Sequence, residues 1–227
     1  MREQRRRALA AQSLACAIAV GFASLLLRAA APDAPRAPDL FDQIYARGRP
    51  IQASLRTVTA TFTETTTSSL LSRPLVARGT LAVERPSRIV LRYATPEART
   101  LLIDQNKMTL VWPSRAVRQQ TDVTAALQRV EKYFLDKSPD ELRRNFDITA
   151  TEANDRPGAW QVTMVSRRKQ IQQGITRLDL WIDRTSLLLA AMRMTFPSAD
   201  TKLMSFENVV VNGPVDPALF SVIDPPK

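Results

Sequence analysis

The chain has 227 residues, no histidine, a single cysteine and a formal net charge of +10. The absence of histidine removes the commonest general base and metal ligand. The cysteine, Cys16, lies in an apolar amino-terminal segment, so the remainder has no disulfide framework, thiolate nucleophile or Cys-ligated metal. We therefore expect a protein that is not an enzyme and that needs no cofactor or metal ion.

Basic side chains exceed acidic ones after residue 31, by 27 to 21. Proteins that bind nucleic acid usually concentrate basic residues on one face, with aromatic residues between them. Here the excess is spread along the chain, and residues 167–169 are its densest run. We expect no nucleic-acid partner, whereas a weak attraction to anionic membrane surfaces or acidic partners fits the charge.

Residues 1–31 have the layout of an export signal. Arginines at residues 2–7 precede an almost wholly apolar run over 8–27, and the alanines at 29–31 are suited to cleavage. An uncleaved membrane anchor stays open, because about 20 apolar residues can span a bilayer. In both cases a Pro/Ala linker at 32–38 and a domain at 39–227 are expected to be exported.

The first two predicted elements after the linker differ in the spacing of their apolar residues, which indicates a helix followed by a strand. Apolar residues over 40–55 have helical spacing, and Gly48 and Pro50 predict that this helix breaks into two pieces. Residues 58–65 then alternate between apolar residues and threonine, which is typical of a half-buried strand. The helical segment is predicted to cover a sheet that starts at this strand.

A second helical region interrupts the strands. Asp122 is a candidate N-cap for a helix over 122–135. Ser138, followed by Pro139, predicts the start of another short helix. The apolar residues of the first of these helices fall at helical spacing and are Val123, Leu127, Val130 and Phe134.

Short strands separated by turn residues fill the rest of the chain. Such even spacing favours a meandering antiparallel sheet of about 10 or 11 strands. A sheet of that length must curl, which gives a barrel or a partly open one. The predicted strands cover residues 58–65, 75–84, 87–94, 100–103, 108–112, 116–120, 146–151, 159–166, 176–182, 187–196 and 202–211.

Alternation assigns side chains to the two faces of this sheet. Leu178, Leu180 and Ile182 share one face, while Asp179 and Asp183 are expected to be solvated on the other. The amphipathic helices are natural lids for the apolar face, since they must pack their own apolar sides on something. A filled core and a ligand cavity beneath the lids remain equally open from the pattern.

Two groups of residues stand out as candidates for function. Arg85 precedes Pro86 at a strand end, and an arginine there is either solvated or able to donate several hydrogen bonds to carbonyls of a covering helix. The second group is five methionines, whose side chains can adapt to varied ligands or fill gaps in the core. They are Met108, Met164, Met192, Met194 and Met204.

Several short motifs follow one another along the chain, at residues 62–65, 79–86, 101–104 and 110–113, and in the ending at 215–220 and 224–226. Their order and spacing, over residues 40–226, resemble the LolA family of periplasmic outer-membrane lipoprotein carriers.

This resemblance implies an unclosed antiparallel β-barrel with a helical lid over a hydrophobic cavity. It implies a monomeric chaperone that carries acylated lipoproteins or related lipids from an inner-membrane ABC transporter to an outer-membrane lipoprotein acceptor. Arg85 matches an Arg-Pro motif whose arginine latches the lid in the closed, empty state. An envelope sensor or adaptor that binds lipid or lipoprotein for signalling is the alternative function.

The candidate ligand-binding residues are the apolar residues expected to line the cavity or the lid. They are Phe62, Leu81, Val83, Leu91, Tyr93, Leu110, Trp112, Val123, Leu127, Val130, Phe134, Leu178, Leu180, Ile182, Met192, Met194 and Phe206.

Overall fold

The computed structural model describes residues 37–134 and 137–222. The predicted signal at 1–31, most of the predicted linker and the motif at 224–226 lie outside the described residues. Eleven antiparallel strands within them form one sheet in the order β6-β5-β4-β3-β2-β1-β11-β10-β9-β8-β7. The strands are β1 Thr57–Thr67, β2 Leu75–Glu84, β3 Arg88–Thr95, β4 Arg99–Asp104, β5 Lys107–Trp112, β6 Val117–Asp122, β7 Phe146–Glu152, β8 Ala159–Ser166, β9 Arg177–Asp183, β10 Leu189–Thr195 and β11 Thr201–Val211.

The sheet curls without closing, because β6 and β7 are its edges and do not pair. Hairpins join β1 to β6 and β7 to β11 in succession, and the two halves meet where β1 pairs with β11. The predicted unclosed β-barrel with a helical lid is confirmed. We call the face that bears the large apolar cluster the inner face and the opposite one the outer face.

Strand β1 illustrates how the alternation sorts residues. Ala60, Phe62 and Glu64 are buried on the inner face, whereas the threonines between them are only half-buried. Threonine is favoured in strands because its branched side chain suits a pleated surface. The apolar inner positions therefore fix the register of the strand, since a one-residue slip would turn them to the outer face.

The amino-terminal helix, α1, is continuous over Leu40–Ser54. The predicted break into two pieces is wrong: Pro50 lies inside the helix. A proline removes one helical N–H, and other interactions offset that loss. Asp39 and Asp42 form a reciprocal capping box at the start of the helix, and Phe41 and Ile44 are buried against the sheet.

Three shorter helices follow in the described part of the chain: α2 Thr124–Tyr133, α3 Pro139–Asn145 and α4 Lys169–Gln172. The predicted N-cap of α2 is wrong by one residue, because Val123 holds that position and Asp122 ends β6, where it pairs with Lys107. The carboxylate of Asp122 still accepts from the backbone N–H of Thr124 at 2.8 Å. The predicted start of α3 is confirmed, with Ser138 as its N-cap.

Strand β6 starts one residue later and ends two residues later than predicted. A short 3₁₀ helix, Pro113–Arg115, fills the turn before it. Ala116 closes that turn in the left-handed conformation, with φ at 49°, and so lies outside the strand.

A carboxy-terminal 3₁₀ helix, Pro217–Phe220, packs on the outer face. Arg92 anchors it by donating from Nη2 to the carbonyl oxygens of Leu219 and Ser221, at 2.8 Å each. Beneath it, Phe220 joins a small apolar cluster on the outer face of β2, β3 and β4. A groove of about 310 Å³ lies beside this helix and is lined by Thr59, Thr61, Thr80, Ala82, Val90, Arg92, Asn208 and Leu219, among others.

On the outer face of β9, Asp179 is buried. The prediction that it is solvated is wrong, because the residue is only 1% exposed. Its Oδ1 accepts from Arg177 Nη2 at 2.8 Å and from Thr163 Oγ1 at 2.6 Å. Neighbouring side chains on the sheet cover the carboxylate and supply its hydrogen bonds, which the strand's alternation alone does not reveal. Asp183 instead caps the following turn by accepting from Ser186.

This buried carboxylate predicts a pH-dependent stability. Burial opposes ionisation of Asp179, but hydrogen bonds from Arg177 and Thr163 outweigh it and hold the pKa below its ordinary value. The stabilisation is therefore complete above the unfolded-state pKa of about 4 and is lost as the pH falls through the lower folded-state value. We expect Asp179→Asn to cost about 1 kcal/mol at pH 7, because Arg177 is half exposed. Urea unfolding between pH 7 and pH 3 should find that difference shrinking below pH 4; a constant difference would contradict the prediction.

Candidate functional site

The candidate site is the inner face of the sheet together with the helices that cover it. All the predicted cavity and lid residues except Trp112 and Val130 belong to a single apolar cluster on this face. Trp112 and Val130 are half-buried outside it. The cluster members are Phe62, Leu81, Val83, Leu91, Tyr93, Leu110, Val123, Leu127, Phe134, Leu178, Leu180, Ile182, Met192, Met194 and Phe206. Their role in binding a ligand stays a prediction.

Methionine side chains occupy the middle of the inner face. Met192, Met194 and Met204 have no exposed surface, and Met192 pairs with Met204 across β10 and β11. Met108 and Met164 are buried in the same cluster. Methionine is unbranched and polarizable, so its side chain can adopt new rotamers around groups of different shape. The centre of this face can therefore repack more readily than a face of valine and isoleucine.

The helices bring their own apolar residues onto this face. Phe41 and Ile44 of α1, Tyr133 of α2 and Leu142 of α3 belong to the inner-face cluster. Helix α1 lies against both β7 and α3. The covering layer thus consists of separate helices that contact the sheet through a few buried side chains each, and not through a continuous interface.

Arg85 connects the last turn of α1 to the turn between β2 and β3. Its Nη2 donates to the carbonyl oxygen of Gln52 at 3.0 Å, and its backbone N–H donates to the carbonyl oxygen of Arg56 at 2.9 Å. Carbonyl groups at a helix end have no partner within the helix, and they attract cations through the helix dipole. Arg85 therefore holds the carboxy-terminal end of α1 in place, while its role as a latch that opens remains a prediction.

The other end of α1 is held by an ion-pair cluster. Arg143 of α3 donates to Asp39 at 2.9 Å and to Asp42 at 2.7 Å. The hydroxyl of Tyr45 also donates to the carbonyl oxygen of Lys137 at 2.7 Å. Helix α1 is consequently held by polar contacts at both ends and by apolar contacts between them. Polar contacts of this kind can be exchanged for water at a modest cost.

A cluster of charged residues that was not predicted from the sequence also lies on the inner face. Glu64 of β1 accepts from Tyr93 Oη at 2.8 Å and pairs with Lys202 Nζ at 3.1 Å. Arg99 of β4 approaches the same carboxylate at 3.8 Å. The signal was available in the alternation, because Glu64 has the same parity as Phe62 and Lys202 has the same parity as the buried Met204.

Residues 37–134 and 137–222 contain no group of three Cys, Asp or Glu side chains placed to hold a metal ion. In the same part of the chain, no helix has both the length and the apolar composition needed to cross a bilayer. On the inner face, the apolar cluster is accompanied by the carboxylate of Glu64 and the cations of Lys202 and Arg99.

Comparison with known proteins gives one sequence match and several similar folds. Residues 53–223 match the family described as outer membrane lipoprotein carrier protein LolA. No curated protein matches the sequence. Among solved structures, the chain is similar to an uncharacterized conserved protein from Thermus thermophilus, with 10% identity, a TM-score of 0.52 and coverage of 82% of this chain and 95% of that chain.

Two further structures are more distantly similar. One is a LolA superfamily protein from Nitrosomonas europaea, with 6% identity, a TM-score of 0.38 and coverage of 78% and 96%. The other is the lipoprotein LppX of Mycobacterium tuberculosis, with 10% identity, a TM-score of 0.44 and coverage of 77% and 97%. The sequence match over 53–223 spans all eleven strands. The chain therefore belongs to the LolA family of outer membrane lipoprotein carrier proteins.

Proposed function

We propose that this protein is a periplasmic carrier that shields the acyl chains of lipoproteins, or of related lipids, on the inner face of its sheet. The observation that supports this most is a methionine-centred apolar face beneath a helix held at its ends by polar contacts. Membership of the LolA family agrees with it. In this proposal, cargo arrives from an inner-membrane ABC transporter and leaves to an outer-membrane acceptor.

The physical requirements of a carrier fit these features. Each buried CH₂ group is worth about 0.8 kcal/mol, so an acyl chain in water is strongly driven into an apolar site. Release to a second protein or membrane requires that the site does not bind the chain in one rigid geometry. Methionines such as Met192 and Met204 can follow a moving chain, and α1 can swing away once its polar end contacts exchange with water. No covalent step is needed.

The test is binding of a lipoprotein with and without its acyl chains. The protein, purified from periplasm, is mixed with an acylated lipoprotein, or with the same lipoprotein whose modified cysteine is replaced by serine and which carries no lipid. We expect a complex that co-elutes in size-exclusion chromatography with the acylated form alone. Mass spectrometry of the purified protein should also detect a co-purified lipid. Absence of both a complex and a lipid would contradict the proposed function.

A further inference from the structure

The charged cluster on the inner face places two cations around one carboxylate in a nearly water-free position. The side chains of Glu64, Lys202 and Arg99 are 4%, 7% and 13% exposed. Transferring charges out of water is costly unless each is paired and hydrogen-bonded. A single carboxylate neutralises only one of the two cations, so these three side chains leave one positive charge beside the apolar cluster of the inner face.

Arg99 is the less engaged of the two cations. Its guanidinium lies over the ring of Tyr93, with Cζ 3.7 Å from the ring centroid, and 5.4 Å from that of Trp112. These contacts orient the plane of the guanidinium. Its 3.8 Å approach to Glu64 exceeds a hydrogen bond, and among the described residues the guanidinium makes none. Arginine has five N–H donors in a planar fork suited to phosphate and carboxylate groups. Arg99 is thus oriented and able to donate to an anion.

The charged cluster lies beside the methionines and at the opposite end of β2 from Arg85. Glu64 pairs with Met204 across β1 and β11, and Lys202 pairs with Met194 across β11 and β10. The cluster therefore borders the methionine centre directly. Arg85 lies beyond the opposite end of β2: Gly79 pairs with Tyr93, and the strand ends at Glu84. Five residues of β2 separate Gly79, beside the charged cluster, from Glu84, which precedes Arg85, and they span roughly 17 Å.

We propose that Lys202 and Arg99 form a binding site for the anionic group of an amphiphile, a phosphate or a carboxylate, whose acyl chain lies along the methionines toward Arg85. This inference rests on the proposed carrier function and specifies its ligand. Glu64 serves as the internal counterion: it neutralises Lys202 while the site is empty and competes with the anionic group when cargo enters. The ligand therefore has a defined direction, with its charged end at the β1–β2 hairpin side of the sheet.

The test compares two lipids that share one palmitoyl chain. Binding of 1-palmitoyl-lysophosphatidic acid and of 1-palmitoylglycerol, which lacks the phosphate, is measured by isothermal titration calorimetry, with inorganic phosphate as a third ligand. We expect the wild-type protein to bind the phosphate-bearing lipid at least tenfold more tightly than the neutral one. Inorganic phosphate alone should bind far more weakly than either lipid, because it has no acyl chain.

Charge variants should move this preference in opposite directions. Lys202→Gln and Arg99→Gln should each bring the affinity ratio toward one, because each removes a cation from the site. Glu64→Gln should raise the ratio by removing the competing anion, which a purely structural ion pair would not do. Lys107→Gln, which removes a charge from an exposed position on β5, is the matched control and should leave the ratio unchanged.

The possible outcomes test the anion site separately from the proposed carrier function. Equal binding of the two lipids by the wild type overturns the anion site and leaves the carrier function standing. Binding of neither lipid also overturns the anion site, and the co-elution test with the acylated lipoprotein then decides separately whether the carrier function stands. If inorganic phosphate binds as tightly as lysophosphatidic acid, the site recognises free phosphate, and the proposal that the anionic group belongs to a lipid is overturned. If Lys202→Gln fails to fold, an unchanged ratio in Glu64→Gln still overturns the proposal.

Discussion

Gly79→Ala should destabilise the fold by on the order of 3 kcal/mol, because the site has no room for a methyl group. A Cβ at Gly79 would lie 2.1 Å from the carbonyl oxygen of Arg92 and 2.9 Å from the ring of Phe62. The oxygen belongs to the adjacent strand β3 and cannot move without disturbing the pairing of β2 with β3, which is already irregular between Arg78 and Gly79. Urea unfolding followed by circular dichroism measures the change.

Gly48→Ala is the matched control, and it should have the opposite sign. Gly48 lies inside α1, and a Cβ there meets no atom within 4 Å. Alanine is favoured over glycine in a helix interior by about 1 kcal/mol. We therefore expect Gly48→Ala to stabilise the protein modestly while Gly79→Ala destabilises it strongly. Equal effects of the two substitutions would contradict the close approach of β3 to Gly79.

In the proposed carrier, Arg85→Leu should make an acylated lipoprotein bind about tenfold or more tightly and leave more slowly. The substitution removes a hydrogen bond from a charged donor to the carbonyl oxygen of Gln52, and such bonds are worth about 1.5–3 kcal/mol. If that bond exists only when α1 covers an empty inner face, its loss shifts the population toward the open state that accepts cargo. The readouts are amide hydrogen exchange in α1 and the rate of transfer of an acylated lipoprotein to acceptor membranes.

Arg78→Leu supplies the control for this experiment. Arg78 lies on the same strand, β2, at an exposed position remote from α1. It should leave both hydrogen exchange in α1 and lipoprotein transfer close to the wild-type values. Unchanged transfer in Arg85→Leu would refute the latch role, and faster exchange in α1 without any change in transfer would mean that Arg85 only stabilises the helix.

The sheet was predictable because its signals are local. Alternation in segments such as 58–65 and 202–211 identifies half-buried strands, and turn residues between them set their limits. Parity also relates the inner-face residues, and distant residues such as Phe62 and Met192 lie in one cluster, while their role in binding a ligand stays a prediction. Helix α3 was predictable from its capping residues.

The errors have physical causes that a local pattern does not contain. The break expected at Pro50 ignored tertiary contacts on both sides of it: Phe41 and Ile44 pack on the sheet before the proline, and Arg85 donates to the carbonyl oxygen of Gln52 after it. Asp179 was assigned to solvent because its strand alternates, yet Thr163 on the next strand is one of its hydrogen-bond donors. The charged cluster at Glu64 was missed because its partner Lys202 lies 138 positions later in the sequence, and a local pattern does not show that contact.

The pairing of β1 with β11 has a consequence for how the chain folds. Each half of the sheet grows by hairpins between neighbouring strands, which form quickly because the loops to be closed are short. The contact of Val58 with Val211 closes a loop of about 150 residues, and contacts of such long range form slowly. The centre of the sheet is thus expected to assemble last, when the final strand has been made. The inner face, to which both halves of the sheet contribute, is then complete only after this last pairing has formed.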